Sequence, residues 1–263
     1  MTLIITLGAP WGVFRSSDYC LSDPATGKPV QIEAGTKQLS AQGLKWIAEV
    51  AFTGVARVGS YQTREWISAA FAKKDDTYSL TRIILELAQS GTTRLRFVDK
   101  QLRHLSICIS TVIESSIRFI LISNFEPLTG LRSNSVAGGL QVFETPLTRP
   151  RIFIHGMREA VTRADRRLLL GMLKHNASRE EIWAALGHVN KRASEKSGGR
   201  ISSQCMLTEL SPSGTINSQN VGGAAGVPDS FLSGINMGEL IRNNFRTENG
   251  KFQVLKDGNW VDA

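Results

Sequence analysis

The order in which two hydrophobic periods alternate along the chain is the strongest constraint on its fold. Strand-like segments come first, at 3–7, 11–16 and 45–53, with room for short strands around 29–33 and 36–39. Helical spacing then takes over. From about Ser60 to Lys74, Trp66, Ile67, Ala70 and Phe71 share one face. From about Ser79, the residues Leu80, Ile83, Ile84, Leu87 and Ala88 recur at helical spacing, with a pause expected near Gly91 and a resumption to Arg103. Four strand-like runs follow, at 105–113, 117–124, 139–144 and 151–155. Two more helices come next. The first covers 157–174, with Val161, Leu168, Leu169 and Met172 facing inward. The second begins at Ser178, where Ser178 and Glu181 form a capping box ahead of the stripe Ile182, Leu186, Val189 and Ala193. A hairpin at 205–210 and 215–219 closes the series. Strands and helices in blocks favour antiparallel sheets with segregated helical layers, hence an α+β fold with sheet on sheet and a helix pair outside each.

The chain has 263 residues, enough to bury a full core as one domain with an appendage. With 41% hydrophobic and 21% charged residues, disorder is excluded as the main state. No run approaches the roughly 20 apolar residues of a membrane helix, and no signal peptide is expected in the opening Met1–Val13 stretch. Cys20, Cys108 and Cys205 are too few and too scattered for a disulfide framework or a zinc site. A cytoplasmic protein with no membrane partner is the expectation. Residues 1–220 read as the folded domain. Residues 221–263 read as a C-terminal arm of Gly-, Asn- and Ser-rich loop, a short helix at 237–245 and a hairpin about Asp257-Gly258.

The formal net charge is +8, and part of the excess clusters between Arg149 and Lys174. That cluster falls largely on the polar side of a helical pattern, and no nucleic-acid-binding signature accompanies it, so nucleic acid ranks low among partners. His104, His155, His175 and His188 have no metal spacing, and Gly222–Gly226 lacks the strand and lysine of a phosphate loop. No cofactor or metal is expected.

The most specific feature is the first hairpin, Thr2-Leu-Ile-Ile-Thr-Leu-Gly-Ala-Pro-Trp-Gly-Val-Phe-Arg-Ser-Ser-Asp18. It resembles the opening of proteasome β subunits and of the bacterial HslV-type protease, where a threonine leads a strand, a turn, a second strand and an aspartate. Gly35-Thr36-Lys37 resembles the segment carrying the lysine of those families, and Phe52-Thr53-Gly54-Val55-Ala56 the strand end carrying an oxyanion-hole glycine. The resemblance implies a four-layer αββα sandwich of the N-terminal nucleophile (Ntn) hydrolase type over residues 1–220. It also implies a homo-oligomeric ring and a peptide or unfolded-protein substrate, and leaves open whether an unfolding ATPase feeds the ring. A threonine hydroxyl is a weak nucleophile that needs a base. At a processed terminus the residue's own amine, with an ordinary pKa of about 7.7–8.0, serves. By this resemblance Thr2, freed by removal of Met1, is nucleophile and base, Lys37 the tuning cation, Asp18 its partner and Gly54 the oxyanion donor. Phe52 and Ala56 flank the substrate pocket.

Two departures matter. The Asp-x-x-Ser-Gly-Gly of those families stands here as Ser194-Glu195-Lys196-Ser197-Gly198-Gly199, which keeps Ser197 as a catalytic candidate but loses the aspartate. Their Gly-Ser-Gly is replaced by Ile154-His155-Gly156-Met157, where His155 is either a substitute or a strand-end histidine. Three functions follow in order: a threonine-type peptidase, an inactive scaffold or binding subunit of the same fold, and a basic nucleic-acid-binding protein.

Overall fold

The computed structural model describes residues 2–19, 21–22, 29–30, 37–58, 61–72, 78–98, 103–124, 139–222, 229–232, 235–236, 245–248, 251–256 and 259–262. The chain opens with β1 (Leu3–Ala9) and β2 (Gly12–Asp18), then two short strands, β3 (Leu21–Ser22) and β4 (Pro29–Val30). Next come β5 (Gln38–Gly43), β6 (Trp46–Gly54), β7 (Arg57–Val58) and β8 (Tyr61–Gln62). Helices α1 (Thr63–Phe71) and α2 (Leu80–Leu95) precede β9 (Leu105–Ile113), β10 (Ser116–Ser123), β11 (Gln141–Pro146) and β12 (Arg151–Gly156). A second helix pair, α3 (Arg163–Lys174) and α4 (Arg179–Lys196), leads to β13 (Cys205–Leu210) and β14 (Ile216–Val221). The remaining strands are β15 (Asp229–Leu232), β16 (Ile235–Asn236), β17 (Phe245–Glu248), β18 (Lys251–Lys256) and β19 (Asn259–Asp262).

Two sheets organise these elements. One has five strands in the order β12-β1-β2-β13-β14, every pairing antiparallel. The other has seven, β11-β10-β9-β6-β5-β15-β16, antiparallel except where β15 runs parallel to β5. The fold is therefore mixed α+β. Leu3, Ile5 and Leu7 of β1 pack with Leu169, Leu173, Ile182, Leu186 and Val189 of α3 and α4. Val50, Phe52, Ile107, Ile109 and Ile122 pack with Trp66, Ile67, Ile83 and Leu87 of α1 and α2. A third cluster takes residues from both sheets, Ile4, Val13 and Leu210 against Ala51, Cys108, Phe119 and Leu121. Because β1 and β2 are covered on both faces they read as nearly continuous buried runs. Each fully buried Leu or Ile contributes on the order of 1.5–3 kcal/mol.

A buried polar network crosses between the sheets. Arg15, fully buried, donates through Nε to Thr6 Oγ1 (3.1 Å), through one terminal nitrogen to the Glu49 carbonyl (3.2 Å) and through the other to Ser110 Oγ (2.5 Å). Its guanidinium also stands 3.7 Å from the Glu49 carboxylate, to which Thr208 donates.

Two expectations need correction. Helix α2 does not pause at Gly91. The glycine is there because a Cβ would stand 2.5 Å from a Leu140 methyl and 2.6 Å from the Trp66 ring. Helix α3 starts at Arg163, because Thr162 and Asp165 form a capping box of their own after a 3-10 turn at Arg158–Ala160. The core face of the helix is the i, i+4 pair Leu169 and Leu173, both buried, which turns Leu168 out to 51% exposure. The helix expected at 237–245 lies almost wholly outside the described residues, as do Cys20, Gly35 and Thr36. Past residue 221, β15 joins β5 and a separate β17-β18-β19 sheet forms. No helix among the described residues is long and apolar enough to cross a membrane.

Candidate active site

Thr2, Asp18 and Lys37 come together. The β1–β2 hairpin, closed by a two-residue turn with Ala9 opposite Gly12, returns Asp18 to the start of β1. Lys37 immediately precedes β5 of the other sheet, and its Nζ donates to Thr2 Oγ1 at 2.7 Å and to Asp18 Oδ1 at 3.2 Å. All three are buried: Thr2 is 5% exposed, Lys37 2% and Asp18 0%. A buried ammonium is tolerated only with a counter-charge and hydrogen bonds, and Asp18 supplies the charge.

Asp18 is itself held by backbone donors. The Leu3 N–H reaches Oδ1 (2.9 Å) and the Ser202 N–H reaches Oδ2 (3.1 Å). Ser202 belongs to the turn after α4, which the Ser194–Ser197 segment shapes. Ser194 Oγ donates to the Ile201 carbonyl (2.8 Å), Ser197 Oγ donates to the Ser194 carbonyl (2.8 Å), and Ser197 Oγ accepts the Ile201 N–H (3.1 Å). The hydrogen bonds of Ser197 therefore stay within this turn and do not reach Thr2. It stands one residue removed from Asp18, as a brace for the loop.

The β6 end contributes differently from expectation. Gly54 is exposed, with φ +108°, and a Cβ there would stand 1.9 Å from the His104 carbonyl oxygen, so only glycine fits. Phe52, 5% exposed, packs into the α1–α2 side of the sheet, and Ala56 packs against the same cluster. The pocket role expected for these two is not where the structure puts their side chains. Strand alternation puts Thr53 on the opposite face, with Ala51. There its Oγ1 lies 3.0 Å from where a Gly156 Cβ would stand, and that same Cβ would meet the Thr2 carbonyl oxygen at 1.8 Å. Thr53 and Gly156 are thus neighbours of Thr2 that the sequence reading passed over. The alternation with Ala51 was the signal for Thr53.

His155 lies opposite Ile4 in the β1–β12 register, a diagonal neighbour of Thr2. Its ring stacks on Phe119 at 5.9 Å between centroids, and its Nε2 is buried without a partner among the described residues. Burial, then the charges of Arg158 and Arg15, push its pKa down to about 4, so the imidazole is neutral at neutral pH. Burial pushes the Cys108 thiol up to about 12 and the Cys205 thiol up to about 11, which leaves neither as a thiolate nucleophile. Among the described residues no group of His, Cys, Asp and Glu could hold a metal ion.

No family model matches the chain, and no curated protein matches it. Solved structures do. An Anbu (Gly-1) mutant from Hyphomicrobium sp. strain MC1 matches with a TM-score of 0.56 and 11% identity, over 86% of this chain and 89% of that one. Anbu (ancestral beta-subunit) from Yersinia bercovieri matches with a TM-score of 0.57 and 8% identity, over 83% and 87%. These findings correct the placement in the proteasome β-subunit and HslV-type family: at such identities the likeness carries fold and not membership. What stands is a chain with the proteasome-like fold of the Anbu proteins.

Proposed function

We propose that this chain is an N-terminal-nucleophile hydrolase that cleaves amide bonds with Thr2 once Met1 has been removed, built as a four-layer αββα sandwich over residues 1–220. Residues 221–263 form an arm, and the protein acts in the cytoplasm as a homo-oligomeric ring on peptide or unfolded-protein substrates. The observation that carries the reading is the buried Lys37 ammonium, 2.7 Å from Thr2 Oγ1 and charge-paired with Asp18. A cation there stabilises negative charge developing on the hydroxyl oxygen. The freed Thr2 amine takes the hydroxyl proton, Oγ1 attacks the substrate carbonyl, and the Gly54 amide receives the oxyanion. The protonated amine then donates to the leaving nitrogen, and water releases the acyl group by the reverse sequence.

The replacement of an aspartate by Ser194, whose hydroxyl is committed to the Ile201 carbonyl, favours a second reading, an inactive scaffold of the same fold. Intact mass before and after exposure to a peptide epoxyketone, which bridges a terminal threonine's hydroxyl and amine, separates the two. Loss of Met1 with one adduct, abolished by Thr2→Ala, supports the enzyme. Retained Met1 with no adduct overturns it.

A further inference from the structure

On the far edge of the five-stranded sheet, β12 pairs with β1 on one side and with no described strand on the other. Between that open edge and α3 lies a pocket of about 370 Å³. Arg151, Arg166 and Arg167 line it, with Ile152, Phe153 and Leu170 as apolar wall. The Nε atoms of Arg151 and Arg166 are both buried and have no hydrogen-bond partner among the described residues. A buried N–H left unpaired is costly, and one on a cation more so. The carboxylate next in sequence, Asp165, is already committed to Thr162 and to Arg192. Arg166 spends one terminal nitrogen on the Arg158 carbonyl (2.8 Å), which fixes the guanidinium and leaves its Nε–H without an acceptor.

We infer that this edge is a docking site for an acidic, extended peptide segment, which pairs with β12 as an added strand and places a carboxylate on Arg151 and Arg166. Edge strands accept a partner strand through main-chain hydrogen bonds, and side-chain pockets then select it. Charge chooses the occupant. A second copy docked edge to edge would face these arginines with its own, and a chain of net charge +8 makes a poor acidic partner for itself. Charged edge residues also serve merely to discourage pairing between copies, but that role does not call for three arginines, two of them half-buried with unpartnered Nε–H groups, set about one apolar pocket. Nucleic acid would spread phosphate contacts over a surface, whereas the three arginines here line one pocket with a hydrophobic wall. The inference stands apart from the Thr2 chemistry and survives its failure.

The test uses the full chain and a fluorescein-labelled seven-residue peptide alternating Val and Glu, read by anisotropy at low and at physiological salt. Saturable binding is expected, weakened roughly tenfold or more by Arg166→Gln, similarly by Arg151→Gln, and less by Arg151→Lys, since charge survives without the planar fork. A peptide N-methylated at alternate residues, unable to pair as a strand, is expected not to bind. Three results would overturn the inference: no binding, equal binding of the Val/Gln counterpart, or affinity unchanged in the glutamine variants. A short duplex DNA that binds more tightly and shows the same losses would also overturn it, assigning the arginines to nucleic acid.

Discussion

The Lys37 ammonium donates to the Thr2 hydroxyl across 2.7 Å, and that contact joins two sheets that share no strand. Position 37 is otherwise a poor place for a lysine, at 2% exposure and beside buried strands. Asp18 makes it tenable, and among the described residues Lys37 Nζ and the Leu3 and Ser202 N–H groups hold Asp18 in turn.

If this contact is chemical, Thr2→Ala reduces cleavage of a fluorogenic peptide amide to background while shifting the melting temperature by no more than a few degrees. Lys37→Met lowers kcat/KM by on the order of a thousandfold, the scale seen when one preorganised electrostatic donor is removed. Asp18→Asn differs in kind. It strands a buried ammonium and costs about 3–5 kcal/mol in urea unfolding, as well as activity.

Gly156 tests the packing around Thr2. It has φ +86° and a would-be Cβ 1.8 Å from the Thr2 carbonyl oxygen, which also accepts the Met157 N–H at 3.0 Å. Gly156→Ala is expected to cost at least about 2 kcal/mol by denaturant titration, strain in the left-handed region plus the clash. The epoxyketone adduct should form more slowly in that variant, since Thr2 must move. Unchanged stability and unchanged adduct rate would refute this.

His155 predicts an acid limb. Its native pKa of about 4 lies below the ordinary 6.5, so below pH 6.5 the unfolded chain binds a proton that the native chain refuses. Stability is therefore full above about pH 6.5 and falls as pH drops toward 4, by up to roughly 3 kcal/mol. His155→Phe, which keeps the stack on Phe119, should flatten this limb in chemical denaturation at pH 4.5 against 7. An unchanged slope would show that other groups set it.

The Arg15–Glu49 pair gives a double-mutant cycle. Glu49→Leu alone leaves a buried guanidinium facing Thr6 and Ser110 and is expected to cost about 3–5 kcal/mol. Arg15→Met with Glu49→Leu should recover most of that loss, because paired removal of a buried ion pair is often close to neutral. A double variant no more stable than the single would mean the network is worth more than its ion pair.

Much of this architecture is legible in the sequence because its signals are local. The Ser178–Glu181 box and the Ile182, Leu186, Val189, Ala193 stripe fix α4, and all four stripe residues are buried. Thr162-Arg-Ala-Asp165 has the same grammar as Ser178-Arg-Glu-Glu181 and marks the start of α3. Gly91 looks like a break only when its neighbours across the helix pair, Trp66 and Leu140, are unknown. The parallel pairing of β15 with β5 joins residues about 190 apart and leaves no periodicity to find. At the site, hairpin spacing carries Thr2 and Asp18, but the face on which Thr53 lies depends on which side of β6 meets the helices.

Thr2 and Asp18 hang from one sheet while Lys37 is delivered by the other. The trio thus acts as a gauge of whether the sheets are seated on one another. In a loosened, molten-globule-like state both sheets and helices α1–α4 would persist, and far-UV circular dichroism would barely change. A slip of one ångström between the layers would still part the Lys37 ammonium from the Thr2 hydroxyl. On the proposed function, activity would then fail before any spectroscopic sign of unfolding, and inactivation on warming would record slippage between layers rather than loss of secondary structure.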